Sequence, residues 1–284
     1  MKTIRSLLDI ADQAQTFFLD LYGVIFNGEI FFPQGLVVLK QLKEQGKKIA
    51  LLSNSTVMNP VLMKRYVPLG LIQGVHYDKI LSSGSLLKKW LEETDYLDKI
   101  AGKDGRIFVV GLDNPELFES VQNRLTTDSD KAAVVYVSSV HMKQKPCLTV
   151  DPFIPVLQKL LDRKLPMICA NPDYFAFEGP IKYVTPGSLA RWYEEHGGRV
   201  FWIGKPYADI YRHACQEMNT SPAQSVMVGD TIRTDIKGGQ QAGMQTVLIT
   251  GVGITYDVLQ HGTTLQELIK ESDAAPTYLL EKIG

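Results

Sequence analysis

Short runs of branched and aromatic apolar residues alternate along the chain with stretches whose apolar residues recur at helical spacing. Five apolar runs stand out: TFFLD at 16–20, KKIALLSN at 47–54, RVFWIGK at 199–205, SVMVGD at 225–230 and QTVLIT at 245–250. Alternation of this kind is typical of βα units, which build a parallel sheet. The pattern therefore predicts an α/β protein.

Two of the intervening stretches predict helices. In GLVVLKQLKEQGK, at 35–47, apolar residues at positions 36, 39 and 42 alternate with Lys and Glu before Gly46, which indicates an amphipathic crossover helix. DIKGGQQAGM, at 235–244, begins with an acid and ends at Gly243, which favours a short helix.

The pattern of strands and helices begins again in the middle of the chain. GRIFVVG, AAVVYVSSV and LPMICAN read as strands, and PFIPVLQKLLDRK reads as a helix. We therefore expect residues 1–82 and 200–284 to form one domain and residues 83–199 to form a second domain inserted into it. Linkers near residues 83 and 199 would serve as hinges that close the second domain over a site.

Polar residues follow each of the first four apolar runs, where each predicted strand ends. They are Asp20, Ser53 with Asn54, Gly204-Lys205-Pro206, and Gly229 with Asp230. Any one of these alone is most often a turn or a helix cap. Because the carboxyl ends of parallel strands line one crevice, the four groups can converge. Carboxylates, a hydroxyl and an ammonium group suit a phosphate together with Mg²⁺.

Composition and charge narrow the classes of partner. Lys and Arg total 30 against 31 Asp and Glu, so the charge balance favours neither a nucleic acid nor a membrane partner. No run of about 18 apolar residues occurs, and we expect a cytoplasmic protein. Cys147, Cys169 and Cys215 are widely spaced, which predicts small buried residues rather than a zinc site or disulfides.

Four motifs carry a resemblance to a known family. DLYGV at 20–24, LLSNST at 51–56, GKP at 204–206 and VGDTIRTDIKGGQQAGMQTVLITGVG at 228–253 resemble the successive motifs of the haloacid dehalogenase superfamily. The intervening segments resemble its class IIA branch, which includes p-nitrophenyl, pyridoxal-phosphate, phosphoglycolate and nucleotide phosphatases. The resemblance implies a Rossmann-like, doubly wound parallel-sheet core with an inserted α/β cap of type C2.

The resemblance also implies a catalytic set and a substrate-binding set. Asp20 would be the nucleophile that attacks phosphorus, and Lys205 would balance charge between the nucleophile and the phosphate. Ser53 would hydrogen-bond a phosphoryl oxygen, assisted by the backbone of Asn54. These roles imply hydrolysis of small-molecule phosphate monoesters through an aspartyl-phosphate.

Magnesium is the cofactor that the resemblance implies. Its ligands would be carboxylates of Asp20 and Asp230, the backbone carbonyl of Tyr22, and Asp235 as a ligand or as a group that orients the ligands.

In the inserted domain, Asn171 and Asp173 of ANPDYF are candidates for substrate binding, although Asn-Pro-Asp is also a common turn. His141, Lys143 and Lys145 are expected in a solvated turn. The partner we expect is a small phosphorylated metabolite, and a homodimer through the cap stays open.

One residue departs from the phosphatase pattern of Asp-x-Asp, because Tyr22 occupies the place of the second Asp. That Asp is a proton donor and acceptor, and such a group contributes on the order of 10²- to 10⁴-fold in rate. Three interpretations follow: a phosphatase that is slow or that recruits an acid/base from elsewhere in the chain, a phospho-ligand-binding regulator without turnover, and a hydrolytic dehalogenase, whose branch carries Asp-x-Tyr-Gly. The dehalogenase has no use for Mg²⁺, and the 33 residues from Asp20 to Ser53 leave little room for its small helical cap.

Overall fold

The computed structural model describes residues 1–142, 145–178 and 181–283. Strands within these ranges are β1 (Lys2–Thr3), β2 (Thr16–Leu19), β3 (Lys48–Ser53), β4 (Lys79–Ser82), β5 (Arg106–Val110), β6 (Leu125–Thr126), β7 (Ala132–Val137), β8 (His141–Met142), β9 (Lys145–Pro146), β10 (Met167–Cys169), β11 (Phe175–Glu178), β12 (Ile181–Val184), β13 (Val200–Trp202), β14 (Ser225–Gly229), β15 (Gln245–Ile249) and β16 (Tyr278–Leu280).

The α-helices in the same ranges are α1 (Pro33–Glu44), α2 (Asn59–Tyr66), α3 (Ser83–Glu93), α4 (Tyr96–Ala101), α5 (Ile154–Asp162), α6 (Pro186–Glu195), α7 (Ala208–Met218), α8 (Lys237–Gln241), α9 (Gly253–Gln260) and α10 (Leu265–Ser272). Short 3₁₀ helices join several of them, and Ile232–Ile236 forms a π-helical turn.

Seven parallel strands form the first sheet, in the order β1-β16-β15-β14-β2-β3-β4. The chain winds outward from β2 to β4 and then returns to the other side of β2 through β14. This order confirms the doubly wound, Rossmann-like core, and its switch point lies between β2 and β14. Ligands bind beyond the carboxyl ends of strands at such a point.

The crossover from β2 to β3 follows the predicted amphipathic pattern. Helix α1 begins with Pro33, whose missing N–H costs nothing in the first turn. Leu39 and Leu42 are fully buried against the sheet. The helix ends next to Gly46, whose φ of 77° is a left-handed conformation that favours glycine. The sequence prediction of this helix is confirmed.

Five parallel strands form the second sheet, in the order β13-β10-β7-β5-β6. The prediction that RVFWIGK supplies a strand of the first sheet is wrong, because β13 pairs with β10 of the second. The strand at 200–202, which was expected in the first domain, therefore belongs to the second sheet. Two hairpins, β8 with β9 and β11 with β12, project from this part of the chain. Lys143, which was expected in a solvated turn, lies outside the described residues.

A layer of helices lies between the two sheets. Helices α3, α4 and α7 bury one hydrophobic cluster that includes Phe18 and Leu52 of the first sheet and Tyr136 and Ile168 of the second. Separate clusters fill the outer faces, beneath α1 and α2 on the first sheet and beneath α5 and α6 on the second. The order of layers is therefore helices, sheet, helices, sheet, helices, and the inner layer belongs to both sheets.

Residue 83 is not a linker. Ser82 ends β4 and caps α3 by accepting a hydrogen bond from the Ser85 amide at 3.1 Å, and Ser83 is the first residue of α3. Ser83 is fully buried and donates to the carbonyl of Ala170. The expected hinge at this position therefore has no flexible segment in which to act. The division of the chain into a core and an inserted cap remains a prediction.

Across the described ranges, no helix combines the length and the apolar character that crossing a bilayer requires. Cys147, Cys169 and Cys215 are buried and free, as predicted.

Candidate active site

Two carboxylates meet at the switch point of the first sheet. Asp20 directly follows β2 and Asp230 directly follows β14, and these two strands are neighbours. The amide of Asp20 continues the ladder by donating to the carbonyl of Val228 at 2.9 Å. The sequence prediction that these two acids lie at one edge of the sheet is confirmed.

Two glycines make room for Asp230. A Cβ on Gly23 or on Gly253 would overlap with the Asp230 carboxylate, and both glycines have positive φ. Oδ2 of Asp230 accepts from the Ile254 amide at 2.5 Å, at the start of α9, and Oδ1 accepts from the Thr231 hydroxyl at 3.1 Å. The backbone thus approaches this acid more closely than any side chain would allow.

The π-helical turn positions Asp235. Its amide donates to the carbonyl of Thr231 at 2.9 Å, and its Oδ2 accepts from the Thr231 amide at 3.1 Å. The phenol of Tyr211 donates to the carbonyl of Thr234 at 3.0 Å, within the same turn. Isolated π-helical turns are frequent at functional sites, because the extra residue redirects a side chain. Here it directs a fully buried carboxylate towards Lys205.

Lys205 bridges two of the acids. Its Nζ lies 2.9 Å from Asp20 Oδ1 and 2.7 Å from Asp235 Oδ1, and only 1% of the side chain is exposed. Burial by itself lowers the pKa of Lys205, but the charges of Asp20 and Asp235 outweigh it and raise the pKa above its ordinary value. Lys205 is therefore a fixed cation at neutral pH.

Asn54 holds the backbone on either side of that cation. Its Oδ1 accepts from the Lys205 amide at 2.7 Å, and its Nδ2 donates both to the Lys205 carbonyl at 3.1 Å and to Asp173 Oδ1 at 3.0 Å. A Cβ on Gly204, whose φ is 116°, would collide with Asn54 Oδ1. The side chain of Asn54 is buried and positions Lys205, and the phosphate contact expected of the Asn54 backbone stays a prediction.

The three carboxylates are arranged as a cation site. Each of Asp20, Asp230 and Asp235 offers an oxygen within 4.8 Å of the others. Burial and the charge of Asp20 raise the pKa of Asp230 well above its ordinary value and that of Asp235 to about 7. Lys205 supplies one positive charge against these acids. Hard carboxylate oxygens in this number and spacing fit Mg²⁺, which would relieve the repulsion among them.

A cavity of about 760 Å³ opens above these acids. Asp20, Asp230 and Ser53 line its floor, and Ser53 Oγ accepts from the Ser55 amide at 3.2 Å, so its hydroxyl hydrogen is free to point at a ligand. The walls come from both parts of the chain and are rich in aromatic residues, including Phe32, Tyr174, Phe175, Phe177, Tyr183 and Tyr256. The site is thus polar at the base and amphipathic above.

Comparison with known proteins places this arrangement in a family. Residues 17–123 match the model of the haloacid dehalogenase-like hydrolases, and residues 202–284 match the HAD-hydrolase-like model. The two matched segments contain Asp20, Asp230, Asp235, Ser53 and Lys205. The chain belongs to the haloacid dehalogenase superfamily of hydrolases.

Some relatives match this superfamily member over nearly its whole length, and others match one part of it. Chronophin of Mus musculus is 27% identical over 284 residues, which are 98% of this chain and 94% of the relative. The ribonucleotide monophosphatase NagD of Escherichia coli K12 is 39% identical over 93 residues, which are 32% of this chain and 36% of the NagD chain. A haloacid dehalogenase-like hydrolase from Brucella suis 1330 superposes with a TM-score of 0.84 at 26% identity and covers 99% of this chain and 100% of its own. These relatives confirm two predictions. The chain has class IIA neighbours, and it is an enzyme of the haloacid dehalogenase phosphatase type.

The ANPDYF segment reaches the cavity from the side of the second sheet. Asn171 Oδ1 accepts from the Asp173 amide at 3.2 Å, which makes the segment the turn that Asn-Pro-Asp favours. Both residues line the cavity, and burial raises the pKa of Asp173. Because its carboxylate accepts a hydrogen bond from Asn54, Asp173 is linked through Asn54 to Lys205.

Tyr22, two residues after Asp20, lies on the cavity wall. Its ring packs edge-on against Phe26, with 5.2 Å between centroids. Its hydroxyl accepts from Arg65 Nη1 at 3.4 Å.

Two arginines that no sequence motif indicated line the cavity. Arg65 lies at the end of α2. Arg233, in the π-helical turn, donates to the carbonyl of Pro172 at 2.7 Å and lies 3.6 Å above the ring of Tyr174. Neither follows a strand, and their partners are backbone carbonyls and aromatic rings distant in sequence. The buried neighbours of Arg65, Leu62 and Tyr66, are the only local sign that it lies at a flank of the helix.

Proposed function

We propose that this protein is a phosphatase that hydrolyses phosphate monoesters of small metabolites through an aspartyl-phosphate on Asp20. The observation that carries the proposal is the cluster of Asp20, Asp230 and Asp235 around Lys205, at the floor of a cavity large enough for a small metabolite. The names of relatives such as ribonucleotide monophosphatase NagD support the same chemistry.

The first step is attack of Asp20 on phosphorus, which breaks the bond to the ester oxygen and releases an alkoxide that takes a proton from water. An anionic nucleophile is repelled by an anionic phosphate, and the Lys205 ammonium, 2.9 Å from Asp20 Oδ1, offsets that repulsion. Ser53 donates its hydroxyl to a phosphoryl oxygen. Asp235 holds Lys205 in place through the 2.7 Å contact of its Oδ1 with Nζ. Water then cleaves the aspartyl-phosphate and regenerates the Asp20 carboxylate.

Mg²⁺ is the cofactor we propose, held by the carboxylates of Asp20 and Asp230 and by the backbone carbonyl of Tyr22, with Asp235 beside them. When bound, it supplies positive charge that draws the phosphate to the nucleophile. Without it, Asp20, Asp230 and Asp235 lie within 4.8 Å of one another with one neighbouring ammonium.

Turnover is slow in this proposal, because Tyr22 stands where a carboxylic acid would protonate the leaving alkoxide and then activate water. The absence of such a group predicts a rate lower by roughly 10²- to 10⁴-fold. The rate should be reduced most for esters of alcohols that are poor leaving groups, because departure of these alkoxides depends most on protonation.

Hydrolysis of p-nitrophenyl phosphate and of a panel of phosphorylated metabolites tests the proposal. The assay compares the wild-type protein with Asp20→Asn, with and without Mg²⁺. We expect release of phosphate that requires Mg²⁺ and that Asp20→Asn abolishes, together with a phosphorylated Asp20 detected by mass spectrometry after rapid acid quenching. Activity that survives in Asp20→Asn would overturn the mechanism.

The same assay separates the two other interpretations. A phospho-ligand-binding regulator would release no phosphate, yet Mg²⁺ with inorganic phosphate would raise its melting temperature. A hydrolytic dehalogenase would act on 2-haloacids without metal. That reaction has no role for the buried carboxylates of Asp230 and Asp235, which argues against it. A homodimer through the cap remains a prediction, as does the cytoplasmic location.

A further inference from the structure

Arg65 is held at the wall of the cavity by a backbone carbonyl and an aromatic ring. Its Nη2 donates to the carbonyl of Gly28 at 2.9 Å, and its guanidinium carbon lies 5.6 Å from the centroid of the Phe26 ring. Both contacts fix the plane of the guanidinium without neutralising its charge. Arg65 is exposed and lines the cavity, so the remaining N–H donors are accessible from it.

The charge of Arg65 has no carboxylate partner. Among residues 1–142, 145–178 and 181–283, no Asp or Glu forms an ion pair with it. Its side-chain contacts are the phenol of Tyr22, at 3.4 Å, and the ring of Phe26, and neither is a carboxylate. A carboxylate at position 22 would pair with this guanidinium and cancel its charge. With a neutral phenol there, the positive charge stays available to a ligand.

The other cavity arginine is already engaged. Arg233 donates to Pro172 at 2.7 Å and lies over one face of Tyr174, and Arg191 also lies over that ring, 4.7 Å from its centroid. Arg233 therefore fastens the ANPDYF segment to the π-helical turn. Arg65 is the cavity arginine whose contacts leave most of the guanidinium free.

We propose that Arg65 binds an anionic group on the alcohol portion of the substrate, so that the preferred substrates are phosphate monoesters whose leaving alcohol carries a carboxylate or a second phosphate. This inference rests on the proposed phosphatase function. Tyr22 lies two residues after the nucleophile and contacts Arg65, which places the guanidinium on the side of the cavity where the alcohol departs. Its planar donors match the paired oxygens of carboxylate and phosphate groups.

Matched alkyl phosphates test the inference. The substrates are propyl phosphate, its analogue with a terminal carboxylate, and propanediol bisphosphate, which separate the two anionic groups. We expect the wild-type protein to show a kcat/KM for at least one charged substrate about ten- to a hundredfold above that for propyl phosphate, the size of a hydrogen bond to a charged group. Arg65→Gln should reduce that ratio to near one, and Arg65→Lys should restore part of it.

Lys64→Gln is the matched control, because Lys64 is the exposed neighbour of Arg65 on α2 and does not line the cavity. It removes one positive charge from the same helix and should leave the ratio unchanged. A wild-type ratio near one, or a ratio that Arg65→Gln leaves intact, would overturn the inference. Melting temperatures of the three variants separate lost recognition from lost folding.

Binding distinguishes this inference from the proposed function. Carboxypropyl phosphonate and butyl phosphonate, which carry no hydrolysable ester, are titrated calorimetrically in the presence of Mg²⁺. If the protein hydrolyses no ester but binds the carboxylate-bearing phosphonate more tightly, and Arg65→Gln removes that difference, the phosphatase proposal fails and the role of Arg65 stands. If esters are hydrolysed without any preference in rate or binding, the role of Arg65 fails alone.

Discussion

Asn54 brackets Lys205 with the two ends of its side-chain amide, Oδ1 on the Lys205 N–H at 2.7 Å and Nδ2 on the Lys205 carbonyl at 3.1 Å. The lysine enters the site from β13 of the second sheet, whereas Asp20 belongs to the first. The asparagine, which follows β3 of the first sheet, therefore fixes the cation that follows one sheet against the Asp20 carboxylate of the other.

Asn54→Ala should lower kcat by about ten- to a hundredfold, because Lys205 loses its backbone anchor and a small misplacement of a charged group is costly. KM should change less than kcat, since Asn54 does not line the cavity. The matched control is Asn59→Ala, which removes an asparagine that donates to Ile80 at 2.8 Å near the start of α2. Equal loss of kcat in both variants would point to general destabilisation.

Gly253→Ala should abolish the effects of Mg²⁺ on activity and on thermal stability, because the new methyl group would overlap with the Asp230 carboxylate. The backbone strain at a φ of 78° adds roughly 1 kcal/mol of destabilisation. Gly262→Ala carries the same kind of strain, at a φ of 94°, but meets no atom within 4 Å. Its melting temperature should fall slightly and its response to Mg²⁺ should persist, and a lost response there would contradict the steric explanation.

Mg²⁺ should raise the melting temperature more at pH 8 than at pH 5. Burial and the charge of Asp20 raise the pKa of Asp230 and bring the pKa of Asp235 to about 7, so the folded protein retains protons that the unfolded chain has lost above about pH 4. The metal-free protein therefore loses stability as the pH rises from about 4 through 7. Protons also compete with the cation for the same oxygens.

Differential scanning calorimetry at the two pH values, with and without Mg²⁺, measures this effect. Asp230→Asn is the informative variant, because it removes one of the clustered charges. It should raise the metal-free melting temperature at pH 8 and weaken the response to Mg²⁺ at both pH values. An equal Mg²⁺ shift at pH 5 and pH 8 in the wild-type protein would argue against a carboxylate site.

Tyr22→Asp should raise kcat for esters of poorly leaving alcohols by about ten- to a hundredfold, part of what a positioned acid contributes. The same change should lower any preference for charged alcohols, since the new carboxylate would pair with Arg65. Tyr22→Phe keeps the ring that packs on Phe26 and removes only the hydroxyl. We expect its kcat to remain within about threefold of wild type, and a larger drop would assign the phenol itself a part in the reaction.

Residues next to strong patterns were predictable from the sequence. Asp20 and Asp230 follow apolar runs that could form only buried strands, and the doubly wound order then brings them together. The run at 199–205 has the same appearance, yet β13 joins the other sheet. Its apolar residues suit either sheet, and the choice depends on pairing with β10, which no local pattern records.

Arg65 and the positioning role of Asn54 could not be predicted in the same way. The positioning role of Asn54 depends on hydrogen bonds to a residue 151 positions away. The position of the Arg65 guanidinium at the cavity wall depends on where α2 packs relative to the turn after Asp20. Such contacts are set by tertiary packing, and single-residue preferences carry no information about them.

The helices between the two sheets also determine how the molecule comes apart. Leu86, Leu87 and Ile210 contribute to one apolar cluster that reaches both sheets. Separating the sheets would expose that cluster to water, at a free-energy cost of roughly 25 cal/mol for each Å² of apolar surface. Heating should therefore melt both sheets in a single cooperative transition, and excision of the inserted segment should leave a remnant that aggregates rather than a smaller folded protein.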